Sequence, residues 1–173
     1  MLLSDFDFNL PEELIASYPS ARRSRCRMLC LKGDDGTLGA RRFFELKELL
    51  RPGDLLVLND TKVLPARLKG HKLSGGQVEV FLERLTGGAT ALCQIRASRA
   101  PKAGARLKIE GGGELEVTGR EGRLFALRCT HGEDFAELLE RCGQLPLPPY
   151  IRRQAGPLDA RRYQTVYAAV PGA

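Results

Sequence analysis

Between residues 62 and 129 the sequence falls into six short runs of alternating apolar and polar residues, separated by glycine-rich breaks. The runs are "KVLPARLKGHK", "QVEVFLERL", "ATALCQIRA", "ARLKIEG", "ELEVTGR" and "RLFALRC", and the breaks include "LSGG", "TGG", "APKAG" and "GGG". Alternation at period two puts the apolar side chains on one face of a strand, and glycine supplies the backbone conformations that tight turns require. Six strands recurring every ~8–12 residues predict a small antiparallel barrel or sandwich. An amphipathic helix should follow in "GEDFAELLERCG", closed by Gly143.

The flanks have a different texture. In residues 1–60, "LPEELIASYP" predicts a short helix opened by Pro11 and stopped by Pro19, with Glu12 and Glu13 placed to suit its dipole. "RMLCLKGDDGTLGARRF" reads as a hairpin turning at Asp34, Asp35 and Gly36, and "FELKELLRPGD" as a second short helix ended by Pro52 and Gly53. Leu55 to Leu58 read as a buried strand. After the barrel region, "LPLPPYIRR" should be extended, because its prolines suit neither regular helix nor central strand.

Charge narrows the partners. The net charge is +6, but residues 61–109 hold ten Lys/Arg against two Asp/Glu, whereas residues 110–149 hold four against eight. A basic surface concentrated in one segment suggests a polyanion, most simply a nucleic-acid backbone; a merely solvated face is the alternative. No apolar run approaches the ~18 residues that a spanning helix needs, and the acidic start does not resemble a signal peptide, so an intracellular, cytoplasmic location is expected. Five widely spread cysteines suit a reducing compartment. Cys26 and Cys30 have zinc-like spacing but lack a second local pair, and His71 and His131 stand apart, so no metal is expected. No phosphate-binding loop, dinucleotide fingerprint or nucleophile elbow is present.

Five segments carry a resemblance: "SDFDFNLPEELIASYP", "RPGDLLVLNDTKVLPARL", "GGQVEVFLERL", "LPLPPYI" and "RYQTVYAAVPGA". In order and spacing they resemble the S-adenosylmethionine:tRNA ribosyltransferase-isomerase family of the queuosine pathway, from Ser4 to Ala173. The resemblance implies a mixed α/β domain interrupted by an inserted small antiparallel β-barrel. Residues 1–60 and 150–173 would be parts of the discontinuous α/β domain, and 61–149 the inserted barrel with its following helix. It also implies a longer protein, of which this chain looks like an N-terminal half and would be inactive alone. The implied reaction moves the ribosyl part of S-adenosylmethionine, a co-substrate, onto 7-aminomethyl-7-deazaguanine in a tRNA anticodon and isomerises it to give epoxyqueuosine. The full-length protein is expected to be a monomer, without membrane association.

That chemistry begins by removing a proton beside a sulfonium cation, which calls for a base and an anionic environment. Asp60 is the candidate base, with Asn59 and Thr61 as substrate-binding neighbours at the end of the apolar strand. The alternative is an Asx turn in which Asp60 only bonds local backbone amides. Arg67 could meet a phosphate or carboxylate. Tyr150 could stack on a base and Arg152 bind phosphate. In "RYQTVYA", Tyr163 and Tyr167 would share a helical face, leaving Gln164 and Thr165 as ligand candidates. Lys69 and Lys72 are the candidate RNA contacts. Two other readings stay open: a non-enzymatic RNA-binding barrel module, and an inactive half that needs a second chain.

Overall fold

A computed structural model describes residues 1–172. The chain divides into two compact units, residues 1–58 with 149–153, and residues 59–148 with 154–173. This partition groups residues 154–173 with the barrel, whereas the sequence reading grouped them with residues 1–60.

The first unit contains the expected hairpin, β1 (Arg27–Leu31) against β2 (Leu38–Arg42), in antiparallel register from Arg27↔Arg42 to Leu31↔Leu38. Its turn is shaped by Gly36 at φ 70° and by Asp35, whose Oδ1 accepts from Thr37 N at 2.9 Å. The two expected helices are only 3₁₀ turns, Glu12–Leu14 and Phe43–Glu48. Short helices depend on packing an apolar face, and none of residues 1–58 is fully buried. Leu55 to Leu58 correct the sequence reading in the same way. They belong to no strand and are exposed, Leu55 by 88% and Val57 by 82%. An apolar run on both faces of a strand needs a layer on each side, and the described residues supply neither.

The second unit starts with β3 (Thr61–Val63), then β4 (Arg67–Lys72), β5 (Gln77–Gly87), β6 (Thr90–Ala97), β7 (Arg106–Ile109), β8 (Glu114–Glu121) and β9 (Leu124–Cys129). Strands β4 to β9 form a closed antiparallel barrel in the order β4-β5-β6-β9-β8-β7, sealed by pairing of β4 with β7. The six-strand expectation holds, with one adjustment. "KVLPARLKGHK" is two strands, because Pro65 has no donor for a ladder; β3 stays outside the barrel and β4 enters it.

Leu68, Val80, Leu107, Leu115, Val117 and Leu127 point inward and are essentially fully buried. Helix α1 (Phe135–Cys142) is the expected amphipathic helix. Asp134 caps it, accepting from Ala136 N at 2.8 Å, and its Phe135, Leu138 and Leu139 join the barrel core. It covers one end of the barrel, where Phe135 N donates to Gly88 O in the β5–β6 turn and a Cβ on Gly113, in the β7–β8 turn, would lie 2.7 Å from Leu138 Cδ1. A second helix, α2 (Pro157–Arg162), was not expected; Asp159 closes its first turn, accepting from Gly156 N at 2.8 Å. It ends before Tyr163, so Tyr163 and Tyr167 share no helical face. Strand β10 (Val170–Gly172) then pairs in parallel with β3.

This core can be checked through its glycines and its buried cysteines. A Cβ on Gly70 would collide with the Lys108 carbonyl oxygen across the β4–β7 seam, whereas one on Gly119 would meet nothing. Gly70→Ala should therefore lower stability in urea unfolding by about 1–3 kcal/mol, and Gly119→Ala should leave it nearly unchanged. Burial pushes the Cys93 thiol up to about 12 and the Cys129 thiol up to about 11. The thiolate is the reactive form, so maleimide at neutral pH should label exposed Cys26 in the folded protein and reach Cys93 and Cys129 only on unfolding.

Candidate functional site

The polar cluster at the start of β3 is held by bonds between distant parts of the second unit. Asn59 closes the turn, its Oδ1 accepting from Thr61 N at 2.9 Å. The Asp60 carbonyl accepts from Ala169 N at 2.8 Å and Val170 N at 3.1 Å, which fixes its backbone. Its carboxylate is exposed and has no hydrogen bond or ion pair among the described residues. The turn-closing alternative for Asp60 thus falls to its neighbour, and the Asp60 carboxylate is left available. Thr61 is half-buried at the start of β3, with Gly172 so near that a Cβ there would lie 2.9 Å from Thr61 Cγ2.

Gln164, read as a ligand candidate, is engaged by backbone. Its Oε1 accepts from Val63 N and its Nε2 donates to Val63 O, both at 2.8 Å, so the side chain acts as one more strand edge for β3. Thr165 accepts from Tyr167 N at 3.4 Å. Structure therefore brings Asn59, Asp60, Thr61, Gln164 and Thr165 into one neighbourhood from opposite ends of the unit.

Arg67 and Lys69 lie on β4 beside inward Leu68. The Arg67 guanidinium carbon sits 5.0 Å from the Phe81 ring centroid, and its Nε is buried without a hydrogen-bond partner. Lys69 opens onto a groove of about 950 Å³ shared with Gln77, Glu79, Arg96 and Ser98. Lys72 donates from Nζ to the Arg99 carbonyl. Among the ten basic residues of 61–109, only Arg84 and Arg106 pair with an acid in the described residues. The rest of that charge is uncompensated at close range, which an anionic surface can exploit.

In the first unit, Tyr150 and Arg152 line a recess of about 230 Å³ with Glu12, Ile15 and Ser17, and Arg152 Nη1 pairs with Glu12 Oε1 at 2.7 Å. Sequence reading passed over Arg153, whose Nε donates to Ser17 O at 2.7 Å and whose guanidinium carbon lies 4.2 Å from the Tyr18 ring centroid. Nothing in the sequence signals which of the adjacent Arg152 and Arg153 would anchor the segment. Among the described residues no three His, Cys, Asp or Glu side chains converge as a metal set, and no helix is long and apolar enough to cross a membrane.

These features describe a basic antiparallel barrel with a polar cluster at the start of β3 beside it. The chain belongs to the queuosine biosynthesis protein family, whose model it matches over residues 3–173. It is 51% identical over its whole length to an S-adenosylmethionine:tRNA ribosyltransferase-isomerase of Nitrosococcus oceani, covering 50% of that protein. It is 53% identical over 98% of its length to the protein of that name from an Azoarcus species, covering 49% of it. A crystal structure of S-adenosylmethionine tRNA ribosyltransferase from Thermotoga maritima is 32% identical, with TM-score 0.40 over 80% of this chain and 49% of the other. The chain spans about half the length of the curated relatives it matches.

The bonding pattern separates support from chemistry. Gln164→Ala leaves both backbone groups of Val63 without their partner and should cost about 1–3 kcal/mol in thermal or urea unfolding. Asn59→Ala removes one turn bond and should cost about 1 kcal/mol, while Asp60→Ala should leave stability close to wild type.

Proposed function

We propose that this chain forms part of an S-adenosylmethionine:tRNA ribosyltransferase-isomerase. The whole enzyme transfers the ribosyl moiety of S-adenosylmethionine onto 7-aminomethyl-7-deazaguanine in a tRNA anticodon and isomerises it to epoxyqueuosine. The observation that carries this reading is about half identity to relatives of that name along the full chain. S-adenosylmethionine is the ribosyl-donating co-substrate and tRNA the acceptor, in the cytoplasm, with no metal and a monomeric full-length protein.

Asp60 supplies the base or the counter-charge. Its carboxylate has no competing partner, while two backbone bonds and the Asn59 turn hold its backbone, as a catalytic group requires. A carboxylate facing a sulfonium favours removal of an adjacent proton and stabilises the cation. The Asn59 amide and the Thr61 and Thr165 hydroxyls are candidates for ribose; Gln164 supports them by holding β3. Arg67 meets a phosphate or carboxylate. Lys69 and Lys72 bind RNA backbone, and Tyr150 and Arg152 take a base and a phosphate in their own recess. We further read residues 1–60 and the segment after 149 as parts of a discontinuous α/β domain, in which Leu55 to Leu58 become a strand once another stretch of polypeptide covers them.

The uncompensated cations of residues 61–109 favour a second reading, a barrel that binds RNA without catalysis. One assay decides between them. The chain is mixed with a polypeptide matching the other half of its relatives, and adenine release from S-adenosylmethionine is followed on tRNA carrying the modified base. Activity should appear only on mixing, and backbone amides of residues 55–58 should become protected from hydrogen exchange at the same time. Asp60→Asn should then reduce turnover by roughly 100-fold or more with an unchanged melting temperature. RNA binding with no adenine release in any mixture supports the second reading. Replacing Lys69 and Lys72 with Ala should flatten the log–log salt dependence of tRNA binding by roughly 0.7–0.9 per lost contact.

A further inference from the structure

We propose that the barrel end opposite α1 carries a binding subsite for an unpaired RNA nucleotide, centred on Arg120. The seam between β6 and β9 is incomplete there. Strand β6 pairs with β5 as far as Ala97, but with β9 only over Thr90–Cys93. Beyond Cys93 the two strands diverge and leave a cleft of about 600 Å³, with Ile95, Leu124 and Phe125 on its apolar side and Glu83, Gln94, Arg120 and Arg123 on its polar side.

Two irregularities in the barrel border this cleft and supply its polar groups. A bulge in β8 between Val117 and Gly119 shifts the alternation by one residue. Val117 pairs with Leu127 and Arg120 with Phe125, so Arg120 shares the inward side that unbroken alternation would deny it. Its guanidinium carbon lies 4.2 Å from the Phe125 ring centroid. A second register shift in β5, between Leu82 and Arg84, leaves Glu83 as the extra residue, and Glu83 Oε2 accepts from Gln94 Nε2 at 2.9 Å. Bulges commonly re-aim side chains next to functional sites; here both aim at the same opening.

The chemistry of the lining selects the ligand. Single-stranded RNA is read by stacking splayed bases on aromatic rings or arginine planes and by hydrogen-bonding their edges. Arg120, fixed on Phe125, offers its outer plane for stacking. The Glu83–Gln94 pair offers an acceptor beside a donor for a base edge. Arg123, at the hairpin tip and without an ion pair among the described residues, is placed for the adjoining phosphate. This proposal rests on the reading of tRNA as partner, but not on the Asp60 chemistry.

Fluorescence anisotropy with tRNA and with an eight-nucleotide single-stranded RNA tests it on the 173-residue protein. Arg120→Ala should weaken binding of both RNAs by about tenfold or more, in the range of one lost stacking partner. Arg120→Lys should fail to restore it, because it keeps the charge and loses the plane. Gln94→Ala, at an exposed position, should weaken binding less and change the preference among homopolymers. Melting curves check that each variant folds. Wild-type affinity in Arg120→Lys, or no binding of either RNA by the wild-type chain, overturns the subsite; preferential binding of an acidic peptide over RNA overturns it in favour of a protein partner. Adenine release in the mixed-chain assay is read separately, so loss of the subsite leaves the ribosyl-transfer reading standing or falling on its own measurement.

Discussion

The approach of β4 to β7 is the contact on which the rest of the second unit depends. It converts a six-stranded sheet into a cylinder and removes the free edges that an open sheet would present. Gly70 makes that approach possible, because any side chain there would collide with the Lys108 carbonyl. Closure also gives α1 a rim to sit on. Gly143, at the end of α1, lies so near the Pro65 and Leu139 carbonyls that a Cβ would strike both, and the next residue, Gln144, exchanges backbone bonds with Arg67 at 3.1 and 2.7 Å. The same geometry that seals the core thus also positions the first cation of β4.

The barrel was legible because its signal is local. Alternating runs such as "QVEVFLERL" and "RLFALRC" state their own buried face, and glycines between them state the turns. Gly143 likewise marks the end of α1 from the next position. The parts that were misread depend on partners far away. Leu55 to Leu58 look like a buried strand by composition alone, but burial is a property of neighbours, and none of the described residues covers them. Helix α2 escaped notice because Pro157 and Asp159 sit in a polar run with no apolar stripe.

At the candidate site, residue types were legible and roles were not. Asn59 and Asp60 have nearly interchangeable turn chemistry on paper, and only in the fold does the amide take the backbone bond and leave the acid unused. Gln164 looked like a ligand because glutamine is versatile; its attachment to Val63 spans 101 positions, which no local pattern reveals. Arg120 was hidden for a related reason. One bulged residue at Thr118 reverses which side chains face inward, and strict alternation assigns Arg120 to the wrong side.

The parallel pairing of β3 with β10 has a consequence for the order of folding. The barrel strands join mostly through short turns, whereas β3 and β10 are brought together across nearly the whole second unit. Bringing such distant segments together carries a loop-closure cost that local hairpins avoid, and contacts of high sequence separation slow folding. A barrel already formed shortens that search, since it holds β3 at the foot of β4. The polar cluster around Asp60 should therefore assemble late, on a barrel that forms before it.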